Sequence, residues 1–314
     1  EDCKYFFSLG ADNTFKKWDL TAASKYSNPS GQNGLVYGFD LSANDNFLVS
    51  QGDNGILTVW STIDGTILKQ FPTFGNSVNS ASISPDGNYV VGCNWAGRIK
   101  VWETASGNKA IEFAGMNVGV VGNEFSPDGK HIAVAAYDST ITIWDFASGA
   151  RLQQLKCSGL MYHVTYSSNG KYIVCASTNG DVTIFENGTF KKLFEIKTNN
   201  TSIYQCAFAP DNTTIAAVGE GREIIFINAQ TGKIINKIAA HNERIYCVAW
   251  SPDGKRLATG SADNTVRIWD VKTNETTLVI NDFNEDIYNL VFSSDSKKLY
   301  VNAPVGGFKE YVAE

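Results

Sequence analysis

The sequence predicts an all-β fold, a propeller of four-stranded antiparallel blades, on three observations. Short apolar runs of strand length, rich in Val, Ile, Phe, Tyr and Thr, fill the 314-residue chain with no helical period between them. A tight turn of the form Ser-Pro-Asp-Gly recurs ahead of one run in each set. Both features return about every 42 residues from one end of the chain to the other.

The period is read by aligning strand ends on Trp269. Equivalent ends are Trp18 (FKKW), Trp60 (LTVW), Trp102 (IKVW) and Trp144 (ITIW), with degenerate ones at Phe185, Ile227 and Tyr311. Successive spacings are 42 residues, except for 41 between Trp144 and Phe185. No linker interrupts the series, so residues 1–314 read as one domain. The turn before the second strand is SAND at Ser42, SPDG at Ser84, Ser126 and Ser251, SSNG at Ser167, APDN at Ala209 and SSDS at Ser293. Pro presets φ near −65°, and Asp, Asn or Gly tolerate the remaining angles. The unit closing at Trp269 shows its four strands as ERIYCVAW, RLATGS, TVRIWD and ETTLVI. One such twisted sheet cannot bury both of its faces, and stacking copies around an axis solves that problem.

A Gly-x-x-Asp/Asn turn followed by Trp-Asp at this period resembles the WD-repeat β-propellers, and the resemblance covers nearly the whole chain. It implies a hydrogen-bonded tetrad in the best-matching unit, with His241, Thr259, Asp263 and Trp269 at the four positions and Ser261 as a second candidate for the hydroxyl. Other units have Gln32, Phe74, Met116, Asn199 or Phe283 where His241 stands, so their blades must rest on apolar packing. Eight aligned ends favour a WD40-type propeller of eight blades, with seven as the alternative. The ends do not tile neatly. Residues 4–27 supply three outer strands and 285–312 three inner ones. Closure is expected from native sequence ahead of Glu1, from a strand added by a partner, or from a seven-bladed ring with a terminal segment packed outside.

Composition excludes several classes. The net charge is −6 and no Lys/Arg-rich run occurs, which argues against nucleic acid as the main partner. Apolar runs are far too short to cross a membrane, and EDCKYFFSLG does not read as a signal peptide. Six cysteines with no Cys-x-x-Cys pair, four of them within strand patterns, read as free thiols of an intracellular, cytoplasmic or nuclear protein. Three histidines without a supporting ligand set, and no nucleophile, phosphate or dinucleotide motif, predict no metal, no cofactor and no catalysis.

The informative column lies near the start of each innermost strand. Its residues are Tyr37, Asn79, Val121, Tyr162, Tyr204, Tyr246 and Tyr288, so tyrosine fills five of seven places. In a propeller this column forms a partial ring at one rim of the channel; the alternative is a set of wedges between blades. By the resemblance that rim is the peptide-binding top face, and the residues preceding the turn Asp position point toward it, among them Asp53, Trp95, Tyr137 and Glu220. Arg244 and Asp286 add charge. Aromatic side chains with scattered charge suit a protein or peptide ligand, because they offer large contact area at low rotamer cost. The reading is a non-catalytic scaffold or adaptor. Its alternatives are a permanent subunit of a larger complex and an enzyme built on a propeller platform. The runs WDLT, WDFA and WDVK lack the arginine of adaptor-docking WD-repeat proteins, and a phosphopeptide reader would need more top-face arginines than Arg244.

Overall fold

The computed structural model describes residues 5–9, 15–19, 36–52, 55–72, 78–113, 115–281, 283–303 and 307–313. Two strands come first, β1 (Tyr5–Leu9) and β2 (Phe15–Asp19). Blade 1 is β3 (Val36–Leu41), β4 (Phe47–Gly52), β5 (Ile56–Ser61) and β6 (Ile67–Pro72). Blade 2 is β7 (Ser80–Ile83), β8 (Tyr89–Cys93), β9 (Ile99–Glu103) and β10 (Lys109–Glu112). Blade 3 is β11 (Val120–Phe125), β12 (His131–Ala136), β13 (Thr140–Asp145) and β14 (Arg151–Lys156). Blade 4 is β15 (Met161–Tyr166), β16 (Tyr172–Ser177), β17 (Asp181–Glu186) and β18 (Lys192–Lys197). Blade 5 is β19 (Ile203–Phe208), β20 (Thr214–Gly219), β21 (Glu223–Asn228) and β22 (Ile234–Ala239). Blade 6 is β23 (Ile245–Trp250), β24 (Arg256–Ser261), β25 (Val266–Asp270) and β26 (Glu275–Ile280). Blade 7 begins with β27 (Asn289–Phe292), β28 (Lys298–Ala303) and β29 (Gly307–Ala313).

The first strand of each blade lies innermost, against the first strands of its neighbours, and β27 meets β3 to close the ring. Seven inner strands mean seven blades, which corrects the eight favoured by the aligned ends. Among the described residues the strand that holds Trp18 brings no inner strand of its own. It pairs antiparallel with β29 through Trp18↔Ala313 and Asp19↔Val312, so β2 is the outer strand of blade 7 and β1 a fifth strand beyond it. Two of the eight aligned ends, Trp18 and Tyr311, therefore belong to one sheet.

Burial follows the radial order. All six residues of β16 are buried, whereas in β14 only Leu155 is. The core lies between blades: Ala133, Ile141 and Ile143 of blade 3 pack on Met161, Val164, Cys175 and Phe185 of blade 4. Each apolar chain hidden at such a joint contributes roughly 1.5–3 kcal/mol.

The recurrent turn owes its composition to a side-chain clasp. Ser84 Oγ donates to Asp86 Oδ1 at 2.5 Å and accepts the Tyr89 N–H at 2.9 Å. Ser42, Ser126, Ser167, Ser251 and Ser293 repeat both bonds with the Asn or Asp two residues on and the N–H five residues on. The fourth turn residue takes positive φ in all seven blades, as Asp45, Gly87, Gly129, Gly170, Asn212, Gly254 and Ser296.

Inner strands share no ladder, so side chains bridge them. Asp40 Oδ2 accepts the Ile83 N–H at 2.9 Å, Glu124 Oε1 the Tyr166 N–H at 3.2 Å, and Gln205 Oε1 the Val248 N–H at 2.7 Å. Asn79 Nδ2 donates to Val120 O at 2.9 Å, and Asn289 Nδ2 donates to Phe39 O at 3.0 Å across the closing joint.

Candidate functional site

Five of the seven positions of the column are set by β-bulges, whereas Asn79 and Tyr288 directly precede β7 and β27. Register shifts by one residue between the first and third residues of β3, β11, β15, β19 and β23, which leaves Tyr37, Val121, Tyr162, Tyr204 and Tyr246 as the extra residues. A bulge re-aims its side chain out of the regular alternation. Tyr162, Tyr204, Tyr246 and Tyr288 then meet one another around the channel mouth where the inner strands begin. Tyr162 lies edge-on to Tyr204 at 5.2 Å between ring centroids. Tyr204 stacks on Tyr246 at 5.5 Å, and Tyr246 on Tyr288 at 4.6 Å. The four rings form one continuous arc, half-buried, at the rim of the channel. Each ring packs against the next across a blade joint while keeping part of its surface in solvent.

Charge flanks the arc. The Tyr204 hydroxyl donates to the Glu220 carboxylate, the Arg244 guanidinium sits 6.0 Å above the Tyr246 ring, and the Tyr288 hydroxyl donates to Asp286 Oδ2 at 3.3 Å. Partial burial, then the Glu220 hydrogen bond, pushes the Tyr204 phenol up to about 12. Burial and the neighbouring Tyr288 and Asp286 likewise raise Tyr246, so these phenols stay neutral donors at neutral pH. On the turns after β8 and β12, Trp95 is 54% exposed and Tyr137 41% exposed, and their rings meet edge-to-face at 5.5 Å. Asp53 and the side chain of Tyr37 lie outside the described residues. Asn79 and Val121 break the tyrosine column between Tyr37 and Tyr162.

The channel below the arc is a cavity of about 920 Å³. Its wall includes Asp40, Glu124 and His163, a polar lining that sequence reasoning missed. The signal was available as a second column: Asp40 and Glu124 each stand three residues after the tyrosine position. Burial pushes Asp40 up to about 6 against the Ile83 and Leu41 N–H bonds it accepts. Burial also pushes Glu124 up to about 8, against hydrogen bonds from Thr165 and Tyr166, with Asp40 adding to the rise. Burial pulls His163 down to about 4, and its Nδ1 has no hydrogen-bond partner among the described residues. At neutral pH Glu124 is therefore mostly protonated and His163 uncharged, while Asp40 stays mostly ionised. Among the described residues no group of three or more His, Cys, Asp or Glu could hold a metal ion.

The expected tetrad is formed in blade 6. Asp263 accepts the His241 Nδ1–H at 3.0 Å, His241 Nε2 accepts the Thr259 hydroxyl at 2.8 Å, and Thr259 Oγ1 accepts the Trp269 indole N–H at 2.9 Å. Burial pulls His241 down to about 4 despite Asp263, which fits the neutral tautomer that this chain of donors requires. Ser261 is not its hydroxyl member; it donates to Arg244 O at 2.8 Å and so steadies the loop beneath the rim.

The chain matches no curated protein. The family model described as WD domain, G-beta repeat matches residues 65–103, 113–145 and 232–270, the last of which contains the whole tetrad. These segments occupy the same register of the 42-residue unit, and the unmatched units adopt the same blade. Three WD-repeat matches on a β-propeller are consistent with the WD-repeat family, whose propellers generally serve as protein-interaction scaffolds.

Proposed function

We propose that this propeller is a non-catalytic scaffold that binds an extended protein segment across its tyrosine arc, with the Trp95–Tyr137 pair as a second anchor. The observation that carries this reading is the continuous arc of ring contacts from Tyr162 to Tyr288, half-open to solvent and edged by Glu220, Arg244 and Asp286. A core does not need four tyrosines at a solvent boundary, whereas an interface gains most from rigid amphipathic rings. Charges of both signs suit a partner of mixed charge. The family's general role as scaffold supports the reading. The cysteine pattern supports an intracellular setting, cytoplasmic or nuclear.

The test is an affinity capture with wild type, Trp95→Ala and Tyr246→Ala, each checked by thermal melting, followed by titration of the captured partner. Loss of at least about tenfold in affinity at unchanged melting temperature supports the reading. Undiminished capture by both variants overturns it.

A further inference from the structure

We propose that Cys157 and Cys175 are a redox pair, oxidised to a disulfide by exchange with a small-molecule disulfide such as oxidised glutathione, and that the bond ties blade 3 to blade 4. Their sulfurs lie 3.4 Å apart, already in contact. The two residues belong to different blades. Cys157 directly follows β14, the outer strand of blade 3, where its N–H donates to Ser139 O at 2.9 Å. Cys175 sits in the middle of β16 in blade 4, is 1% exposed and reaches Thr183 O at 3.6 Å. Bonding needs the sulfurs to approach to about 2.05 Å. The half-buried Cys157, at the end of its strand, is the member free to make that shift.

The remaining described cysteines do not share this arrangement. Cys93, Cys206 and Cys247 are fully buried, and Cys247 reaches only backbone carbonyls, Gly260 O at 3.9 Å and Ile287 O at 3.5 Å. A reagent from solvent reaches Cys157 first. Its thiolate attacks one sulfur of glutathione disulfide, and the S–S bond of the reagent breaks, releasing one glutathione and leaving a mixed disulfide on Cys157. The Cys175 sulfur then gives up its proton, attacks the Cys157 sulfur and expels the second glutathione. Two protein thiols are oxidised to one disulfide, one glutathione disulfide is reduced to two thiols, and both protons end on glutathione. The Cys157 contact and burial both raise the Cys175 thiol, so the second step is the slow one and quickens with pH.

The cross-link bears on the rim. Residues 157–161 carry the chain from β14 to β15 and so to Tyr162. In that crossing Ser158 Oγ donates to Asp181 Oδ2 at 2.5 Å and accepts from Asn179 Nδ2 at 3.3 Å. A covalent tie at Cys157 pins the crossing to blade 4 by a second means.

The experiment uses the folded chain in a Cys3→Ser background, so that the first cysteine adds no adduct, incubated with oxidised glutathione at pH 8. Intact mass and non-reducing peptide mapping should show loss of two hydrogens, a 157–175 cross-link reversed by dithiothreitol, and a melting temperature several degrees higher. Cys175→Ser should instead hold a lasting glutathione adduct on Cys157, and Cys157→Ser should remain unmodified at 175. A persistent adduct on Cys157 with both cysteines present, or no change in mass, overturns the proposal. If either single variant fails to melt cooperatively, the mapping of the parent chain alone decides.

Discussion

The indole N–H of Trp269 reaches Thr259 Oγ1 at 2.9 Å, whereas the equivalent N–H of Trp144 is buried with no partner among the described residues. Strand register explains the difference. Trp269 pairs with Leu257 and Trp144 with Ile132, so Val134 stands where Thr259 stands. Trp60 takes the intermediate case, donating to Ser50 Oγ at 2.8 Å. Thr259→Val should cost about 1–3 kcal/mol, because it leaves both the Trp269 N–H and His241 Nε2 buried without that partner. Urea unfolding measures it, and a loss below about 0.5 kcal/mol would show that the tetrad is not a stabilising network.

Apolar packing carries the blades that lack the tetrad. Trp144 is 3% exposed and lies 5.2 Å from Phe113, and Trp102 is 6% exposed and lies 5.8 Å from Phe71. Trp144→Ala or Trp102→Ala should cost roughly 3–5 kcal/mol. Trp144→Phe should be tolerated better than Trp269→Phe, by about 1 kcal/mol, since only the latter breaks a hydrogen bond. Paired melts of the four variants check the order.

One turn lacks its clasp. Ala209 occupies the position filled by serine in the other six blades, and the Thr214 N–H makes only a long contact of 3.4 Å to Asp211 Oδ1. Ala209→Ser should supply the missing donor and acceptor and stabilise by about 0.5–1.5 kcal/mol. A chemical denaturation curve shifted to lower midpoint would show that this turn cannot adopt the clasp of its siblings.

Channel acidity predicts a pH dependence. The folded protein holds Glu124 at about 8 and Asp40 at about 6, both above their ordinary values of 4.5 and 3.8. The folded state therefore binds protons more tightly than the unfolded chain. Stability from these groups is complete below about pH 4 and is lost as pH rises through 6 and 8. His163 and His241, held near 4, act on the other flank, where stability falls as pH drops from 6.5 toward 4. Glu124→Gln keeps an oxygen to accept from Thr165 and Tyr166 and removes the ionisation. Its unfolding free energy should match wild type near pH 4 and exceed it at pH 9, by a margin on the order of a few kcal/mol. Parallel alkaline profiles would place the Glu124 carboxyl in a wetter setting.

Much of this was legible in the residues. The 42-residue spacing and the serine-headed turns specified the blade, because a side-chain clasp and a positive φ demand particular residue types at fixed offsets. The tetrad was legible for the same reason. The blade count was not: FKKW around Trp18 has the pattern of a third strand, and pattern alone does not tell whether a strand founds a sheet or joins one. The tyrosine column was visible, but the aim of Tyr162, Tyr204 and Tyr246 depends on bulges, which insert a residue without a sequence mark. Asp40 and Glu124 belong to no recurrent motif of the unit, and only closure of the ring brings them to one cavity.

The bridges between inner strands have a consequence for how the ring is assembled. Asp40, Glu124 and Gln205 accept a main-chain N–H of a neighbouring blade, and Asn79 and Asn289 donate to a main-chain carbonyl. Each joint thus needs only a side chain of the right length, acid or amide, facing a main-chain group that every blade presents. An acid and an amide already serve interchangeably as such clamps, so the pore lining can vary in charge from blade to blade while the ring stays shut.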